Sequence, residues 1–600
     1  MTWSSCATNA EYTSRAKATT SHRLSVTVDQ PESRIVSSRR LMGPNLFGRR
    51  EGGVLEIAAV EPERRALLRA WRGIMDELLV RLRLVDEAVV VREHPGGAQL
   101  FLSAPLDALL AATEINEAAW EGAERFVDAG HEPDTEAMAA RLRVHLQHEH
   151  RPHLLALTHE ADARRLSVTI DDDGLSLGSG EGTLVLGARA WPTVESIDWD
   201  AIHDIPVALV TGSNGKTTTT RLVAAMLAAS GHEVGLTSTD GVFIESTEIA
   251  HGDYSGPAGA RLVLRDRRVT AAVLETARGG LLRRGLAMTR ATVAVVTRVA
   301  HDHFGEYGVF DLAALGQVKL IVARAVGPDG RVVLNADDPT LVALAHTVAA
   351  PIVWCSLAGN TPLVTAHVAR GGTAWVLDDG EVTMLTAGTR RSFGLAADMP
   401  ITLGGRARYN VANVLAASAC ALAMGVSPDT IRQTLGSFGA QREDNPGRLV
   451  FLERAGVRIV VDFVHNPDGW RALYGALRDV PAARRLLVLG QAGDRDDAAL
   501  RELAEAAWEG RPALVVLKEM TKYLRGREPG VITSILGAAF RQLGLGEDGL
   551  VVCTDEVEAV VFALEAARPG DLLILAVHSD YDGVMRLLLA EGARSLYLTK

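Results

Sequence analysis

The chain has 600 residues, more than one hydrophobic core usually serves, so three or four domains are expected. A net charge of −12 argues against a general binder of nucleic acid or anionic membranes, and leaves only local basic clusters, such as the arginines of 278–290, as candidate phosphate sites. No run approaches the roughly 18 apolar residues of a membrane helix, and Cys6, Cys355, Cys420 and Cys553 lie far apart without metal-ligand spacing, so a reduced, cytoplasmic protein is expected.

Residues 1–33 are polar and rich in Ser and Thr, lack the apolar stretch of a secretory signal, and read as a disordered tail. Residues 34–161 read as a small α+β domain, with a strand-like start at Leu41-Met42-Gly43-Pro44-Asn45-Leu46-Phe47 and helical periodicity over 66–84 and 114–126. Residues 162–204 alternate short apolar runs with turns such as Asp171-Asp172-Asp173-Gly174, a β-rich connecting segment. From 205 to 438 apolar strand-like runs alternate with helical patterns, which predicts a parallel-rich sheet covered on both faces. The alternation restarts over 439–600, with strands expected at 458–461, 486–489, 514–517, 550–553 and 572–576 and helices at 497–508 and 556–567. Two α/β domains of this kind hold ligands at the carboxyl ends of their strands, which predicts a shared interdomain cleft.

Residues 211–219 read Thr-Gly-Ser-Asn-Gly-Lys-Thr-Thr-Thr, after the apolar run 205–210 and before a helical pattern over 221–230. A strand that enters a helix through a Gly-rich turn points backbone N–H groups and the positive end of the helix dipole at an anion. Gly212, Asn214, Gly215, Thr218 and the backbone between them are the candidate phosphate cradle, Lys216 the group that neutralises outer phosphates, and the Thr217 hydroxyl a Mg²⁺ ligand. The common nucleotide-binding pattern has a glycine five residues before the Gly-Lys pair, where this chain has Val210, so the loop is of a shorter type. Two further buried runs end near it in sequence order. Residues 269–274 deliver Glu275, followed by Arg278, and a carboxylate at a strand tip can hold Mg²⁺. Residues 292–297 lead to Arg298 and His301-Asp302-His303, with Lys319 on a helix beyond.

These pieces together resemble the Mur ligases, a family that joins a carboxylate to an amine with ATP, and the resemblance covers most of 205–600. It implies a P-loop-type central domain and a Rossmann-like, doubly wound C-terminal domain. It also implies that Thr217 and Glu275 hold one Mg²⁺, that His303 helps hold a second, and that Lys319 is a lysine some members carry as a carbamate. Asn335-Ala336-Asp337-Asp338-Pro339 matches the family's adenine-side motif. Tyr409-Asn410-Val411-Ala412-Asn413 matches a segment that is structural or adenine-adjacent. Arg448, in Asn445-Pro446-Gly447-Arg448, matches a hinge residue that meets the nucleotide, and Asp462-Phe463-Val464-His465-Asn466-Pro467 matches a motif whose Asp accepts from the ribose, with His465 beside it. The family usually has Thr-Asn where this chain has Thr297-Arg298, so Arg298 is a candidate for an anionic substrate group.

Thr239-Asp240-Gly241-Val242, Ser255-Gly256-Pro257, the stretch 275–286 and Arg525-Gly526-Arg527-Glu528-Pro529-Gly530 resemble the C-terminal half of the cyanophycin synthetases, and Leu41-Met42-Gly43-Pro44-Asn45 resembles the start of their N-terminal domain. There the Mur-like half attaches arginine to side-chain carboxylates of polyaspartate, and a separate ATP-grasp module extends the backbone. Only about forty residues stand here where that module would be, so a complete synthetase of this type is not expected. Asp494, Arg495, Arg525, Arg527 and Glu528 are the candidates for the incoming amine, or else belong to solvated charged loops. The resemblance implies ATP and Mg²⁺ as cofactors, small amino-acid or peptide substrates, no nucleic acid or membrane partner, and a homo-oligomer (dimer or tetramer). The residues leave a second reading, a nucleotide-binding scaffold with decayed catalysis, favoured by Arg298, and a third, an unrelated P-loop motor or switch.

Overall fold

The computed structural model describes residues 34–188, 191–301 and 304–596. The expected tail at 1–33, with Cys6, and the candidate ligand His303 lie outside the described residues. Four sheets organise the chain. Strands β1 (Ile35–Leu41), β2 (Gly52–Ala58), β3 (Val89–His94) and β4 (Gly97–Ser103) form an antiparallel sheet in the order β1-β2-β4-β3. Helices Glu63–Leu82 and Leu109–Ala129 cover it, burying Trp71 and Trp120. The buried Trp71 indole donates to Asn116 Oδ1 at 3.1 Å, and the Asn116 amide donates to the Leu100 carbonyl at 2.7 Å, so these polar groups of the core are matched.

The first strand differs from the sequence expectation. It ends at Leu41, and the segment expected as strand leaves the sheet for the central domain, where Met42 N donates to the Arg284 carbonyl at 2.9 Å and Leu286 N to the Pro44 carbonyl at 2.8 Å. Pro44 lacks the N–H a ladder needs, and a Cβ on Gly43 would lie 2.6 Å from the Leu286 oxygen, so this close approach requires glycine. Helices Thr135–Glu149 and Pro152–Ala163 were also not expected from the pattern.

Strands β5 (Val168–Asp171), β6 (Gly174–Leu177) and β7 (Leu184–Gly187) form a small antiparallel sheet. The central sheet has eleven strands: β8 (Val207–Thr211), β9 (Val234–Thr237), β10 (Gly241–Ile244), β11 (Thr247–His251), β12 (Ala271–Glu275), β13 (Ala291–Val296), β14 (Val326–Asn335), β15 (Ile352–Ser356), β16 (Thr373–Asp378), β17 (Glu381–Thr386) and β18 (Thr389–Leu395). Their order is β11-β10-β9-β12-β8-β13-β14-β15-β16-β17-β18, parallel from β9 through β16 and antiparallel at both edges. Helices Lys216–Ala229 and Arg408–Ala423 pack on one face, and Pro257–Leu264, Arg278–Arg284 and Leu312–Lys319 on the other. Burial on both faces explains why β8 and β12 read as unbroken apolar runs rather than alternating ones.

The last sheet comprises β19 (Val450–Arg454), β20 (Val457–Asp462), β21 (Arg485–Leu489), β22 (Leu514–Lys518), β23 (Leu550–Cys553), β24 (Leu572–Ala576) and β25 (Arg594–Ser595), in the order β23-β22-β21-β24-β20-β19-β25. The five strands from β23 through β20 are parallel, and β19 and β25 are antiparallel at the other edge. Helices Pro467–Ala476, Asp497–Trp508 and Val531–Gln542 cover one face, and Glu556–Ala566 and Tyr581–Ala590 the other. Within the described residues no helix is long and apolar enough to cross a membrane.

Candidate active site

The phosphate loop joins β8 to helix Lys216–Ala229, and its shape depends on two glycines. Gly215 has φ of 85°, and a Cβ there would lie 2.3 Å from Asn413 Oδ1. A Cβ on Gly212, at φ of 154°, would lie 1.9 Å from Thr297 Oγ1. Both neighbours are supports. Thr297 Oγ1 donates to the Asn214 carbonyl at 2.6 Å, and Asn413, itself held by Asn410 at 3.1 Å, underlies the loop from helix Arg408–Ala423. The motif at 409–413 is therefore built into the floor of the loop. Thr218 is buried and accepts from the Asn445 amide at 3.2 Å, while Lys216 Nζ donates to the Ser213 carbonyl at 3.3 Å.

Glu275 ends β12, one strand over from the loop. Its Oε2 accepts from Thr217 Oγ1 at 2.9 Å, and among the described residues its buried Oε1 has no hydrogen-bond partner. Burial raises the Glu275 pKa, against the pull of Lys216, Thr217 and Arg448. A buried carboxylate with one oxygen unmatched fits a divalent cation, with Thr217 as its neighbour ligand. Lys319, 3% exposed, also lines the cleft.

The opposite wall comes from the last sheet. Asp462 ends β20 and accepts from Leu449 N at 2.8 Å. Burial pushes its carboxyl up to about 6, although Arg448 and two backbone N–H groups favour the charged form. The Arg448 guanidinium stacks 4.2 Å over the Phe463 ring and donates to Thr239 Oγ1 at 3.3 Å, so this side chain touches both domains. His465 Nδ1 lies 3.1 Å from the Phe463 carbonyl. Between the walls runs a cleft of about 2390 Å³, lined among others by Lys216, Glu275, Asn335, Arg448 and Asp462.

Asn335 spans a turn: its amide donates to the Thr297 carbonyl at 3.2 Å and its oxygen accepts from Asp337 N at 2.9 Å. The neighbouring Asp338, not singled out from the sequence, caps helix Pro339–Leu344 and accepts from Val299 N at 2.6 Å. An Asp immediately before a Pro at a helix start is the signal that could have found it.

The candidate substrate residues separate into groups. Arg278 is buried on the cleft wall and pairs with Glu306, while Asp494, Arg495 and Arg525 line the C-terminal side. Arg527 and Glu528 are not among the cleft-lining residues. The Arg527 guanidinium brackets two loops instead, donating to the Gly493 carbonyl at 3.1 Å, the Arg495 carbonyl at 2.5 Å and Asp497 at 2.8 Å, and Glu528 is exposed. Arg298 lines the cleft, but its guanidinium lies on Asp468 at 2.8 Å rather than standing ready for a substrate anion.

A phosphate loop, a strand-end acid and a second doubly wound sheet meeting over one cleft agree with two family models. The Mur ligase middle domain matches residues 210–421, and the glutamate ligase domain of the Mur ligases matches 447–576, together more than half of the chain. The chain belongs to the Mur ligase family. It is similar to the cyanophycin synthetase of Synechocystis sp., with 37% identity over 62% of this chain and 42% of that one. It is also similar to the UDP-N-acetylmuramoyl-L-alanyl-D-glutamate--2,6-diaminopimelate ligase of Geobacter metallireducens, with 29% identity over 63% of this chain and 74% of that one. The chain spans about two fifths of the length of the cyanophycin synthetases it matches. A solved bifunctional folylpolyglutamate synthase/dihydrofolate synthase aligns over 64% of this chain and 89% of its own, at 19% identity and a TM-score of 0.46.

Proposed function

We propose that this Mur ligase family member is an ATP- and Mg²⁺-dependent ligase that activates a substrate carboxylate as an acyl phosphate and couples it to an amine. The amine is an amino acid and the acceptor an amino acid or peptide. The reading is carried by one juxtaposition: Lys216, Thr217 and Glu275 from the central sheet face Arg448 and Asp462 from the last sheet across a single cleft. The cyanophycin synthetases matched over this region support an amino-acid amine.

In this reading the nucleotide phosphates lie on the loop 211–217, the ribose hydroxyls donate to Asp462, and the adenine sits near Asn335. Mg²⁺, held by Thr217 and Glu275, with His303 proposed as a ligand of a second ion, would screen the repulsion between the anionic carboxylate and the anionic phosphates. Lys216 adds a fixed positive charge where charge develops on the transferring phosphoryl group. A carboxylate oxygen attacks the γ-phosphorus and ADP leaves. The uncharged amine nitrogen then attacks the acyl carbon, and phosphate leaves with the electrons of the broken C–O bond. Arg278 and Glu306 stand on the wall proposed for the acid, and Asp494, Arg495 and Arg525 on the wall proposed for the amine. Lys319 acts either as an ammonium or as a carbamate. Arg298, the departure that favoured a scaffold with decayed catalysis, has a partner in Asp468, which supports a positional role for it in the ligase reading.

Phosphate release with ATP, Mg²⁺ and pooled acids and amines, followed by mass spectrometry of the product, tests the reading. Substrate-dependent phosphate with an amide product is expected. Bound nucleotide without either, from every pool, would favour the scaffold. A homo-oligomer in a reducing compartment is proposed with it, and light scattering after size exclusion measures the mass.

A further inference from the structure

The segment after β13 is built into the phosphate loop. Ser213 N donates to the Arg298 carbonyl at 2.8 Å, the Ser213 hydroxyl donates to the Ala300 carbonyl and accepts from Ala300 N at 3.0 Å each, and Thr297 holds the Asn214 carbonyl. Asp338 fixes the same segment from behind through Val299 N. Loop and segment therefore move as one body. Among the described residues three side chains reach from it to the last sheet's domain. Asn214 exchanges hydrogen bonds with Asn466 at 2.9 and 3.2 Å and donates to Asp468 Oδ2 at 2.9 Å. Arg298 lies on Asp468 Oδ1 at 2.8 Å, and His301 Nδ1 lies 3.2 Å from Glu502 Oε2 on helix Asp497–Trp508.

Asp468 thus gives one oxygen to the phosphate loop's own asparagine and the other to Arg298. It stands in the first turn of helix Pro467–Ala476, whose cap, Asn466, is the other partner of Asn214. An ion pair as open to solvent as this one, with Arg298 half exposed, adds little to stability. Its effect lies in position, because both bonds to Asp468 form only when the two domains and the phosphate loop stand in one arrangement.

We propose that Arg298, Asp468 and Asn214 form a latch that seats the C-terminal domain against the formed phosphate loop, so that the cleft is shut while the acyl phosphate exists. The inference rests on the ligase reading above. Arg298 and Asp468 are positioning residues: they act through the loop and through exclusion of water, which otherwise hydrolyses the acyl phosphate. Loss of the latch leaves phosphoryl transfer in place but lets phosphate be released without amide.

The test compares wild type with Arg298→Asp, Asp468→Arg, the charge-exchanged double variant and Arg298→Lys. The readouts are phosphate released per amide formed, melting temperature, and radius of gyration by small-angle scattering with Mg²⁺ and a non-hydrolysable ATP analogue. Each single reversal is expected to raise phosphate per amide by about threefold to tenfold and to enlarge the nucleotide-bound particle at an unchanged melting temperature. The double variant and Arg298→Lys should return both values toward wild type. A wild-type ratio and size in both reversals, or no recovery in the double variant, overturns the latch. If wild type forms no amide from any pool, the ligase reading fails, and the scattering comparison still decides the latch.

Discussion

Two buried glutamates, one in each large domain, solve burial in opposite ways. Glu275, at the tip of β12, has a threonine hydroxyl on one oxygen and, among the described residues, no hydrogen-bond partner on the other. Glu556, in the first turn of helix Glu556–Ala566, is saturated: Lys518 Nζ and His578 N bond one oxygen, and Ser579 N and Asp580 N the other at 2.9 and 2.6 Å. Burial pushes both carboxyls up, but at Glu556 the Lys518 and His578 charges and the donated hydrogen bonds win, and its pKa falls well below the usual carboxylate range. One acid has an oxygen that no donor among the described residues meets, and it is the proposed site for a cation. The other already has its cation and acts as a clip, shaping residues 577–580, which line the cleft.

The largest effect separates the two acids by activity. Glu275→Gln should cut amide formation by about 10²–10³-fold, the range for losing one preorganised electrostatic group, and should not unfold the protein. Because its folded pKa is raised, ionised Glu275 contributes destabilisation that grows as pH rises from the ordinary carboxylate value through the folded one. The glutamine variant should therefore melt no lower than wild type at pH 8 without Mg²⁺, and should gain less from Mg²⁺ and nucleotide. A large loss of stability at pH 8 would place Glu275 with Glu556 as a structural acid.

Glu556→Gln should do the reverse. Removing one partner of a buried pair costs about 3 kcal/mol, read as a lower denaturation midpoint at pH 7. Since the folded pKa is depressed, this stability is present above the ordinary carboxylate value and is lost as pH falls toward the folded one, so the gap between wild type and variant should narrow in acid. A gap that is constant from pH 7 down to pH 3 would contradict the electrostatic account.

Asp462 lies between the two cases, with a carboxyl pushed up to about 6. Between the ordinary aspartate value and 6 the native state holds a proton that the unfolded chain has lost, so stability falls as pH rises through that window. Asp462→Asn removes the penalty and should stabilise the ligand-free protein by about 2 kcal/mol at pH 8, with little change at pH 4. Nucleotide affinity, measured by calorimetry, should fall at the same time. Stability gained with affinity intact would detach Asp462 from the nucleotide.

What the sequence made legible follows the same physics. Parallel strands buried on both faces leave apolar runs, and a polar residue at the end of such a run stands at the carboxyl edge where ligands sit; Lys216, Glu275 and Asp462 are read this way. The C-terminal strands were legible for the same reason, with 550–553 and 572–576 matching the observed bounds. Pairings between distant segments leave no local signal: Asn214 meets Asp468 across 254 residues, and Lys518, Glu556 and His578 meet only after the last sheet has formed. Helix Thr135–Glu149 was missed because it buries only Thr135, Ala139 and Leu142, too narrow a stripe for the periodicity to show.

The smallest expected effect concerns the N-terminal domain, which contributes no residue to the cleft lining among the described residues yet stands behind its wall. Gln99 on β4 donates to the Tyr307 carbonyl at 2.7 Å, and the Arg39 guanidinium, paired with Glu56 at 2.7 Å, lies 4.5 Å over the Tyr307 ring. Tyr307 and its neighbour Glu306, the partner of Arg278, are themselves cleft residues. A cation over an aromatic ring and one hydrogen bond to a carbonyl are each worth about 1 kcal/mol. Arg39→Met and Gln99→Leu should each lower ligation severalfold, through a raised KM for the acid rather than for ATP, since the segment they support pairs with Arg278 on the wall proposed for the acid. Equal rises in both KM values, or a change confined to melting temperature, would reduce this domain's contact to scaffolding; a rise for the acid alone would make the antiparallel sheet an outer support of the acid-binding wall, tuned by contacts that never touch the reacting atoms.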